Sequence, residues 1–438
     1  MLSITRIAIA IACATLASPL AAQRGDVEVR RAKTLDYPEQ APSISQALDR
    51  LGRNMPWLER VEPNNANLGW AGAVDKAPRF NRSTRPAILL TGYWPPSNEG
   101  VRQFSPDPGQ NPGGWQGSNW EGRGYDIYSY FPEFNNPNCF TCGKGHGDLE
   151  VDYQDTTADF WPICWNIQPI AIITFSRGFL DKSWEVEINQ YNRTAWIPDY
   201  LDPRYPDQLP PDDSRVADAL IESSLPVQDI VDAINAAGLG LNGYVNWTGD
   251  GGGFLSEYIA YHGVWYRDDR SSPAHPDWCV AAGHVHVGGN IDWATTEQAV
   301  EITLREVSAY VDTVVAATVC QADIGYGGPG SAQLTVCGDP LASGGSADLM
   351  VSNGEPLGAG ALIYSTSFQP TPWNGGTLVP IPVWNRVYFS FDEEGRWLWP
   401  DIAGGIGPLT VYTQAVYVDQ AQPQGYGFSN AVQVEFLP

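Results

Sequence analysis

The spacing of hydrophobic positions changes along the chain, and each spacing predicts a different kind of element. Residues 86–92 and 169–175 are short apolar runs, which is typical of strands buried on both faces of a sheet. Polar and apolar residues alternate in residues 184–189, and this pattern predicts a third strand. Residues 241–247 and 279–287 are rich in β-forming residues, so we expect strands there as well.

Other stretches repeat their apolar residues at helical spacing, and they predict helices over residues 45–61, 224–238, 254–266 and 295–318. We expect Ser224 to cap the second of these helices and Gly238 to end it. Thr295 and Gln298 have the spacing of a capping box, so we expect them to start the last one.

The order of these elements predicts the fold class. Strands alternate with helices over residues 85–320, which favours an α/β domain with a layered, mostly parallel sheet flanked by helices. After Cys320 the helical spacing ends, and short β runs separated by Gly and Pro follow. They predict an all-β sandwich over residues 330–438, which we expect to be a structural, adhesive or surface-attachment module.

The first 22 residues have the pattern of a secretory signal, with Arg6 before an apolar run and small residues before Ala22. We therefore expect a secreted or extracytoplasmic protein, cleaved after Ala22 or Ala21. Residues 23–84 form an N-terminal extension that carries no evident chemistry. No later stretch is long and apolar enough to span a bilayer, so we expect no membrane insertion.

The charge of the chain narrows the choice of partners. Its 438 residues carry a formal net charge of -25 at pH 7. Binding to nucleic acids or to anionic lipids needs clustered Lys and Arg, so we expect neither partner.

Removal of the signal would leave six cysteines, for which 15 pairings are conceivable. An even number in an exported chain favours disulfides. Cys139 and Cys142 have the spacing of half a metal site, with His146 and Asp148 near them, but we favour a structural disulfide.

Residues 93–148 form a long irregular stretch crowded with Gly, Pro, Asn and aromatic residues. Long loops in compact domains are often functional. Its rings, Trp94, Trp115, Trp120, Tyr125 and Tyr128, are expected to form either a platform for substrate or the packed core of the loop itself.

A glycine-rich stretch over residues 248–262 carries the first candidate for chemistry. It links a predicted strand to a predicted helix, and Ser256 lies near the start of that helix. Gly251, Gly252 and Gly253 allow a sharp turn, and the free N–H groups of a first helical turn suit a developing oxyanion. A simple connector with a serine near a helix start is the alternative interpretation.

His284 and His286 are two residues apart on a predicted strand, so their side chains share one face. Such a pair is a frequent metal-ligand spacing, for which Glu187, Asp250 or Glu257 would supply oxygen ligands.

Alternatively, His286 is a general base for Ser256. We expect its strand to lie beside the one leading to Ser256, so that both residues face one crevice at the carboxyl ends of the strands. Either Glu185 or Glu187 would orient His286, and we expect only one of the two to face the crevice.

Several blocks resemble the pyroglutamyl peptidase I (pyrrolidone-carboxylate peptidase) family of cysteine peptidases, in the family's order and over about residues 86–318. They are I-L-L-T-G-Y-W-P (88–95), E-I-N-Q-Y-N with I-P-D (187–192, 197–199), S-L-P-V (224–227), G-G-F-L-S-E (252–257) and G-H-V-H-V (283–287).

The resemblance implies a pyroglutamyl-peptidase-like α/β fold and a triad of nucleophile, histidine and glutamate. It assigns the base to His286 and the carboxylate to Glu187 instead of Glu185. The nucleophile position holds Ser256 where the family has Cys, and Trp196 replaces the family's arginine before I-P-D.

The resemblance also implies where substrate binds. The family's ring-binding residues follow the T-G dipeptide, and here Tyr93 and Trp94 occupy those positions. Gly251, Gly252 and Gly253 would complete the substrate-binding set through their N–H groups.

The leading hypothesis is a secreted peptidase- or amidase-like hydrolase with a Ser256–His286–Glu187 site and no cofactor or metal. Its partner would be a peptide or small amide. The alternative is an inactive pseudopeptidase that binds peptide or glycan through the aromatic loop, with cell-surface or glycan contacts through the C-terminal module. A third hypothesis is a metallohydrolase using His284, His286 and a carboxylate.

Overall fold

The computed structural model describes residues 84–135, 142–249 and 251–438, and all of them belong to one compact unit. The predicted signal, the N-terminal extension up to residue 83 and the helix predicted over residues 45–61 lie outside the described residues. Cys139 and Asp250 lie outside them too.

The predicted strands of the N-terminal half are all present, and five further strands lie between them. The ten strands are β1 (Ala87–Tyr93), β2 (Asp126–Tyr130), β3 (Pro132–Glu133), β4 (His146–Gly147), β5 (Ala171–Arg177), β6 (Ser183–Glu187), β7 (Asn189–Tyr191), β8 (Leu220–Glu222), β9 (Asn242–Asn246) and β10 (Ala281–Val287). Six of them form the central sheet, in the order β2-β1-β5-β10-β6-β9. The short pairs β3-β4 and β7-β8 lie apart from it.

Most neighbours in the central sheet are parallel, as predicted: β1 with β2, β1 with β5, β5 with β10 and β6 with β9. Strand β6 is the exception, because it pairs antiparallel with β10. It also separates β10 from β9, so the expectation that these two strands are neighbours was wrong. A hydrophobic pattern identifies a strand but contains no information on its direction or neighbours.

Five α-helices accompany the described strands, and two single 3₁₀ turns (Arg102–Phe104 and Trp120–Gly122) lie among them. The helices are α1 (Ser97–Val101), α2 (Tyr153–Ile167), α3 (Val227–Ala236), α4 (Leu255–Asp269) and α5 (Trp293–Ala317). Helices α2 and α4 pack on the face of the sheet that carries Leu89 and Ile172. Helices α1, α3 and α5 pack on the face that carries Leu90 and Ile173. The sheet is therefore the middle of three layers.

The ends of two helices differ from the predictions. Asp292 caps α5, since its carboxylate accepts hydrogen bonds from the N–H and the hydroxyl of Thr295 (3.0 and 2.8 Å). The hydroxyl of Ser224 accepts from the N–H of Ala282 (2.9 Å) instead of capping α3. Gly238 does follow the end of α3, with a φ of 69°. Side chains that suit a cap also suit a neighbouring strand, and sequence spacing does not distinguish these partners.

The C-terminal part is a sandwich of two antiparallel sheets, as predicted. Its strands are β11 (Val319–Cys320), β12 (Ala322–Gly325), β13 (Gln333–Gly338), β14 (Ser346–Ser352), β15 (Ala359–Ser365), β16 (Thr371–Trp373), β17 (Gly376–Leu378), β18 (Asn385–Ser390), β19 (Trp397–Ala403), β20 (Leu409–Val418) and β21 (Tyr426–Phe436). One sheet has the order β11-β13-β14-β19 and the other β12-β21-β20-β15-β18. Leu349 of the first and Leu362 of the second belong to one shared core. The hairpin β16-β17 forms a separate pair.

The cysteines are partly bonded. A disulfide joins Cys320 to Cys337 across β11 and β13, and Cys142 is also disulfide-bonded. Cys164 and Cys279 are buried free thiols. None of the described helices is long and apolar enough to cross a membrane.

Candidate active site

The candidate site lies on the face of the central sheet that α2 and α4 cover. His284 and His286 of β10 point to this face, because side chains two residues apart share a face. On β6, Glu187 lies opposite His284 and Glu185 lies opposite His286. Both carboxylates therefore face the histidines, and the expectation that only one of them would was wrong. Glu185 and Glu187 are two residues apart, so the alternation of the strand places them together.

His286 binds the diagonal carboxylate. Its Nδ1 lies 2.8 Å from Oε1 of Glu187, whereas the nearest oxygen of Glu185 is 3.9 Å away. Glu185 is engaged elsewhere, because its Oε1 accepts a hydrogen bond of 2.8 Å from the side-chain amide of Asn246 on β9. Glu187 is fully buried, and 11% of the His286 side chain is exposed. The structure thus pairs His286 with the carboxylate that the family resemblance assigns to it.

The charge on His286 follows from its neighbours. Burial alone would lower the pKa of this imidazole. The carboxylates of Glu187, Glu185 and Glu257 outweigh burial and raise the pKa to about 9. At neutral pH the ring is therefore an imidazolium, held between the acidic side chains of β6 and α4.

His284 is a satisfied core residue. Its Nδ1 lies 2.7 Å from the hydroxyl of Thr174, and its Nε2 lies 2.8 Å from the hydroxyl of Ser176. Burial, followed by the charge on His286, lowers the pKa of His284 well below its usual value. The ring is therefore neutral, with both nitrogens occupied.

Donor atoms of Glu187, His284 and His286 lie within 4.8 Å of one another, a distance that suits a metal ion. Binding an ion there would break a hydrogen bond of His284. The geometry therefore favours the interpretation of His284 as a structural residue.

The turn before α4 packs against the first turn of that helix. A Cβ added to Gly251 would lie 2.6 Å from Cα of Glu257, so only glycine fits without displacing the helix start. Gly252 and Gly253 have φ values of 83° and 73°, which glycine adopts without strain. The carbonyl of Gly253 accepts a hydrogen bond of 2.9 Å from the N–H of Ile197.

Ser256 is the second residue of α4 and is half-buried. Within the described part of the chain, no hydrogen bond joins Ser256 to His286. Helix α4 packs on β10, and the carboxylate of Glu257, next to Ser256, adds to the negative charge that raises the pKa of His286. Hydrogen bonds of catalytic groups often tighten only when substrate binds.

Two supporting residues have roles that the sequence did not indicate: Glu257, considered there only as a metal ligand, and Asn246. Glu257 is fully buried and accepts a hydrogen bond of 2.7 Å from the N–H of Tyr191, with Nε of Arg193 3.7 Å away. The side-chain N–H of Asn246 donates to Glu185, as described above, and its side-chain oxygen Oδ1 accepts a hydrogen bond of 2.7 Å from the N–H of Gly249. Asn246 is the last residue of β9, one residue before the end of the predicted strand, and a polar residue in that place is a signal that could have identified it.

The predicted substrate-binding rings lie in the core. Tyr93 is buried and hydrogen-bonded to Thr156 through its hydroxyl. Trp94 donates a hydrogen bond of 2.7 Å to the carbonyl of Gly143, and the guanidinium of Arg177 lies 4.4 Å from the centre of its ring. Their role in substrate binding stays a prediction.

The aromatic stretch that follows is a packed loop core. Trp120, Tyr125 and Tyr128 are buried. The half-buried Trp115 stacks on Tyr128 at 4.9 Å between ring centres, and its indole N–H donates to the carbonyl of Ile127 (2.7 Å). Among the described residues of this stretch, these contacts leave no exposed platform of the kind that the alternative hypothesis needs.

No protein-family model and no curated protein matches the chain. Among solved structures, it is similar to pyroglutamyl peptidase I of Bacillus amyloliquefaciens, with 18% identity and a TM-score of 0.37 over 52% of this chain and 98% of that one.

Pyrrolidone carboxyl peptidase of Thermococcus litoralis is 16% identical, with a TM-score of 0.37 over 52% of this chain and 96% of that one. The Pyrococcus furiosus enzyme is 14% identical, with a TM-score of 0.38 over 51% and 99%. Values this low do not bear on activity, which has to be inferred from the side chains of the site.

Proposed function

We propose that the chain is an exported hydrolase that cleaves amide or ester bonds, with Ser256 as nucleophile, His286 as general base and Glu187 as the carboxylate that orients His286. One observation carries the proposal: the buried contact of 2.8 Å between Nδ1 of His286 and Oε1 of Glu187, on a strand against which α4 packs. A carboxylate on Nδ1 fixes the ring and leaves Nε2 to exchange a proton with a hydroxyl.

The chemical roles follow from this arrangement. Neutral His286 takes the proton of Ser256 through Nε2 while Oγ attacks the carbonyl carbon of the substrate. The imidazolium that forms is stabilised by Glu187 and returns the proton to the leaving amine or alcohol. Water then hydrolyses the acyl-enzyme with the same base. The N–H groups of Gly252, Gly253 and the first turn of α4 are the candidate donors to the oxyanion.

The raised pKa of His286 sets the working pH. The base must be neutral to accept a proton, and its pKa of about 9 leaves about one ring in a hundred neutral at pH 7. Activity should therefore rise with pH through about 9.

The test is covalent labelling of the purified chain with a fluorophosphonate at pH 6 to 10, followed by intact mass. We expect one adduct that forms faster as pH rises. Ser256→Ala should abolish it, and His286→Ala should slow it by about 10²-fold or more. Ser367→Ala, at an exposed serine of the sandwich, is the control and should label normally.

Two results would overturn the proposal: undiminished labelling of the Ser256→Ala variant, or no labelling together with no hydrolysis of any amide or ester. Ser256→Cys provides a separate test of the scaffold, because a thiolate is more easily formed than an alkoxide. Aminopeptidase activity gained by this variant would support the assignment of position 256 as the nucleophile.

A catalytically inactive binding protein is the second candidate, and two observations favour it. Ser256 and His286 are not hydrogen-bonded within the described residues, and His286 is an imidazolium at neutral pH. A peptide array probed with the intact chain would distinguish the two: binding that is unaffected by His286→Ala, in a protein that never labels, supports the inactive protein.

A further inference from the structure

The outer face of the five-stranded sheet of the sandwich presents a row of four residues at one level. Tyr388 pairs with Ala361, Ala361 with Val416, and Val416 with Phe428, across strands β18, β15, β20 and β21. Directly paired residues of antiparallel strands share a face. The next residues along, such as Leu362 and Ala415, point the other way into the core of the sandwich.

The hairpin β16-β17 builds one wall on this face. A Cβ on Gly376 would lie 2.8 Å from the ring of Phe428, so the glycine lets the hairpin lie directly on that ring. Asn374 and Gly375, with φ values of 45° and 84°, form its tight turn. Trp373, the last residue of β16, thereby lies 5.6 Å from Tyr426 between ring centres.

Large aromatic side chains lie at both sides of this face, and smaller side chains lie between them. Tyr388, 70% exposed, forms the opposite wall, while Trp373 and Tyr426 are 42% and 38% exposed. The strand pairings place small side chains, Ala361, Val416 and Val418, between them. The row spans three strand spacings, or about 14 Å. We call this feature the aromatic trough.

The charge around the trough limits what binds there. Residues 319–438 contain no lysine and only two arginines, Arg386 and Arg396, against ten acidic residues. Arg386 borders the trough, since its guanidinium lies 5.4 Å from the centre of the Tyr388 ring, so the surroundings are net acidic with a single cation at one side. A surface of this kind does not attract phosphate, sulfate or carboxylate groups. Exposed aromatic rings at both sides of an apolar floor instead suit an uncharged ligand with flat apolar faces and polar edges.

We propose that the aromatic trough binds an uncharged polysaccharide chain. The C–H groups on the face of a sugar ring are polarised toward the negative face of an aromatic ring, and the hydroxyls at its edge remain in water. Trp373 and Tyr426 stack on a sugar at one side, and Tyr388 stacks on another sugar of the same chain at the other side. The proposal is independent of the hydrolase activity, since it involves no residue of the α/β part.

The test is retention of the intact, purified chain on insoluble cellulose, chitin, xylan and starch. We expect retention on at least one of them. Trp373→Ala and Tyr388→Ala should each weaken binding about tenfold, the typical effect of removing an aromatic anchor. Trp165→Ala, at a tryptophan of α2 that is 61% exposed, is the matched control and should bind like the parent.

Several outcomes would contradict the proposal. Retention on none of the four polymers would do so, as would retention that is unchanged in both Trp373→Ala and Tyr388→Ala. A dimer that dissociates in Tyr388→Ala, without polysaccharide binding by the parent, would show instead that a second copy of the chain covers the trough.

Discussion

At the scale of single residues, the site depends on which carboxylate reaches His286. Glu185 lies directly opposite His286, but it is hydrogen-bonded to Asn246, so the closer partner is Glu187 on the diagonal. The order of the family-like blocks indicated Glu187, whereas strand alternation places Glu185 and Glu187 on the same face and does not distinguish them. The role of Glu257 required the structure, because its proximity to His286 depends on how α4 packs on the sheet.

The ion pair of His286 and Glu187 predicts a pH-dependent stability. The pKa of His286 is raised from 6.5 to about 9 in the folded chain, so its stabilising contribution is complete below about pH 6.5 and is lost as pH rises through 9. The free energy of unfolding should fall by roughly 1–3 kcal/mol between pH 6.5 and 10 on this account. Urea denaturation at a series of pH values measures it.

Glu187→Gln is the informative comparison for this prediction, because it keeps the shape and removes the charge. It should bring the pKa of His286 down, as followed by NMR titration, and flatten the pH dependence of stability. Glu185→Gln should have a smaller effect, since that carboxylate is 3.9 Å from Nδ1 instead of 2.8 Å. Equal effects of the two substitutions would contradict the assignment of Glu187 as the main partner.

At the scale of elements, the sequence predicted which strands and helices are present better than it predicted where helices begin and in which direction strands run. The runs over residues 86–92 and 169–175 became β1 and β5, because burial on both faces requires continuous apolar residues. The antiparallel direction of β6 and the cap formed by Asp292 depend on tertiary partners. Within the sandwich, Pro400 and the charged Asp401 interrupt the β pattern of β19, so this strand is not evident from its sequence.

The glycine turn before α4 allows a second prediction. Gly251→Ala places a Cβ against the backbone of Glu257, which cannot give way as a flexible side chain would. We expect a loss of about 1–3 kcal/mol in stability and a loss of fluorophosphonate labelling at Ser256.

Gly252→Ala is the matched control in the same turn. Its Cβ would meet nothing within 4 Å, and the cost arises only from its φ of 83°. It should destabilise by about 1–2 kcal/mol, the cost of a left-handed backbone for a residue with a Cβ. A smaller effect for Gly251→Ala than for Gly252→Ala, measured by thermal denaturation, would show that the turn does not pack on α4 as described.

At the scale of the whole molecule, a polar contact joins the α/β part to the sandwich. Nη1 of Arg396 lies 2.7 Å from Nε2 of His275, and Nη2 lies 2.5 Å from Glu394, which also approaches Arg270 at 3.9 Å. Ala274 packs beside them with Met350 and Cys337. Burial, together with Arg396 and Arg270, lowers the pKa of His275 to about 3, so this ring stays neutral at physiological pH.

We predict that Arg396→Met weakens the coupling between the two parts. Hydrogen bonds of a charged group contribute about 1.5–3 kcal/mol, and methionine keeps only the apolar stem. Differential scanning calorimetry should show a lower first transition and a wider separation between the unfolding of the two parts. Arg386→Met, at an exposed arginine of β18, is the control; an equal effect there would contradict a specific role for Arg396.

The boundary between the two parts could be predicted from the spacing of apolar residues. Helical spacing gives way to short β runs after Cys320, and the structure has the end of α5 and the start of the sandwich there. The spatial arrangement of side chains could not be predicted in the same way. The rings of residues 93–148 left two interpretations open, because packing inward and presenting a platform require the same residue types. Contacts such as the stack of Trp115 on Tyr128 decide between them.

The division of the site between strands and a turn has a consequence for its motions. His286 and Glu187 are carried by β10 and β6, inside a sheet covered on both faces, where backbone amides exchange with solvent only when large parts of the protein open. Ser256 follows a turn whose three glycines contribute no side chains to the packing, and segments of this kind open more readily than the interior of a covered sheet. We therefore expect His286 and Glu187 to keep their positions. The movement that brings the hydroxyl of Ser256 to the imidazole would take place in the turn and in the first residues of α4.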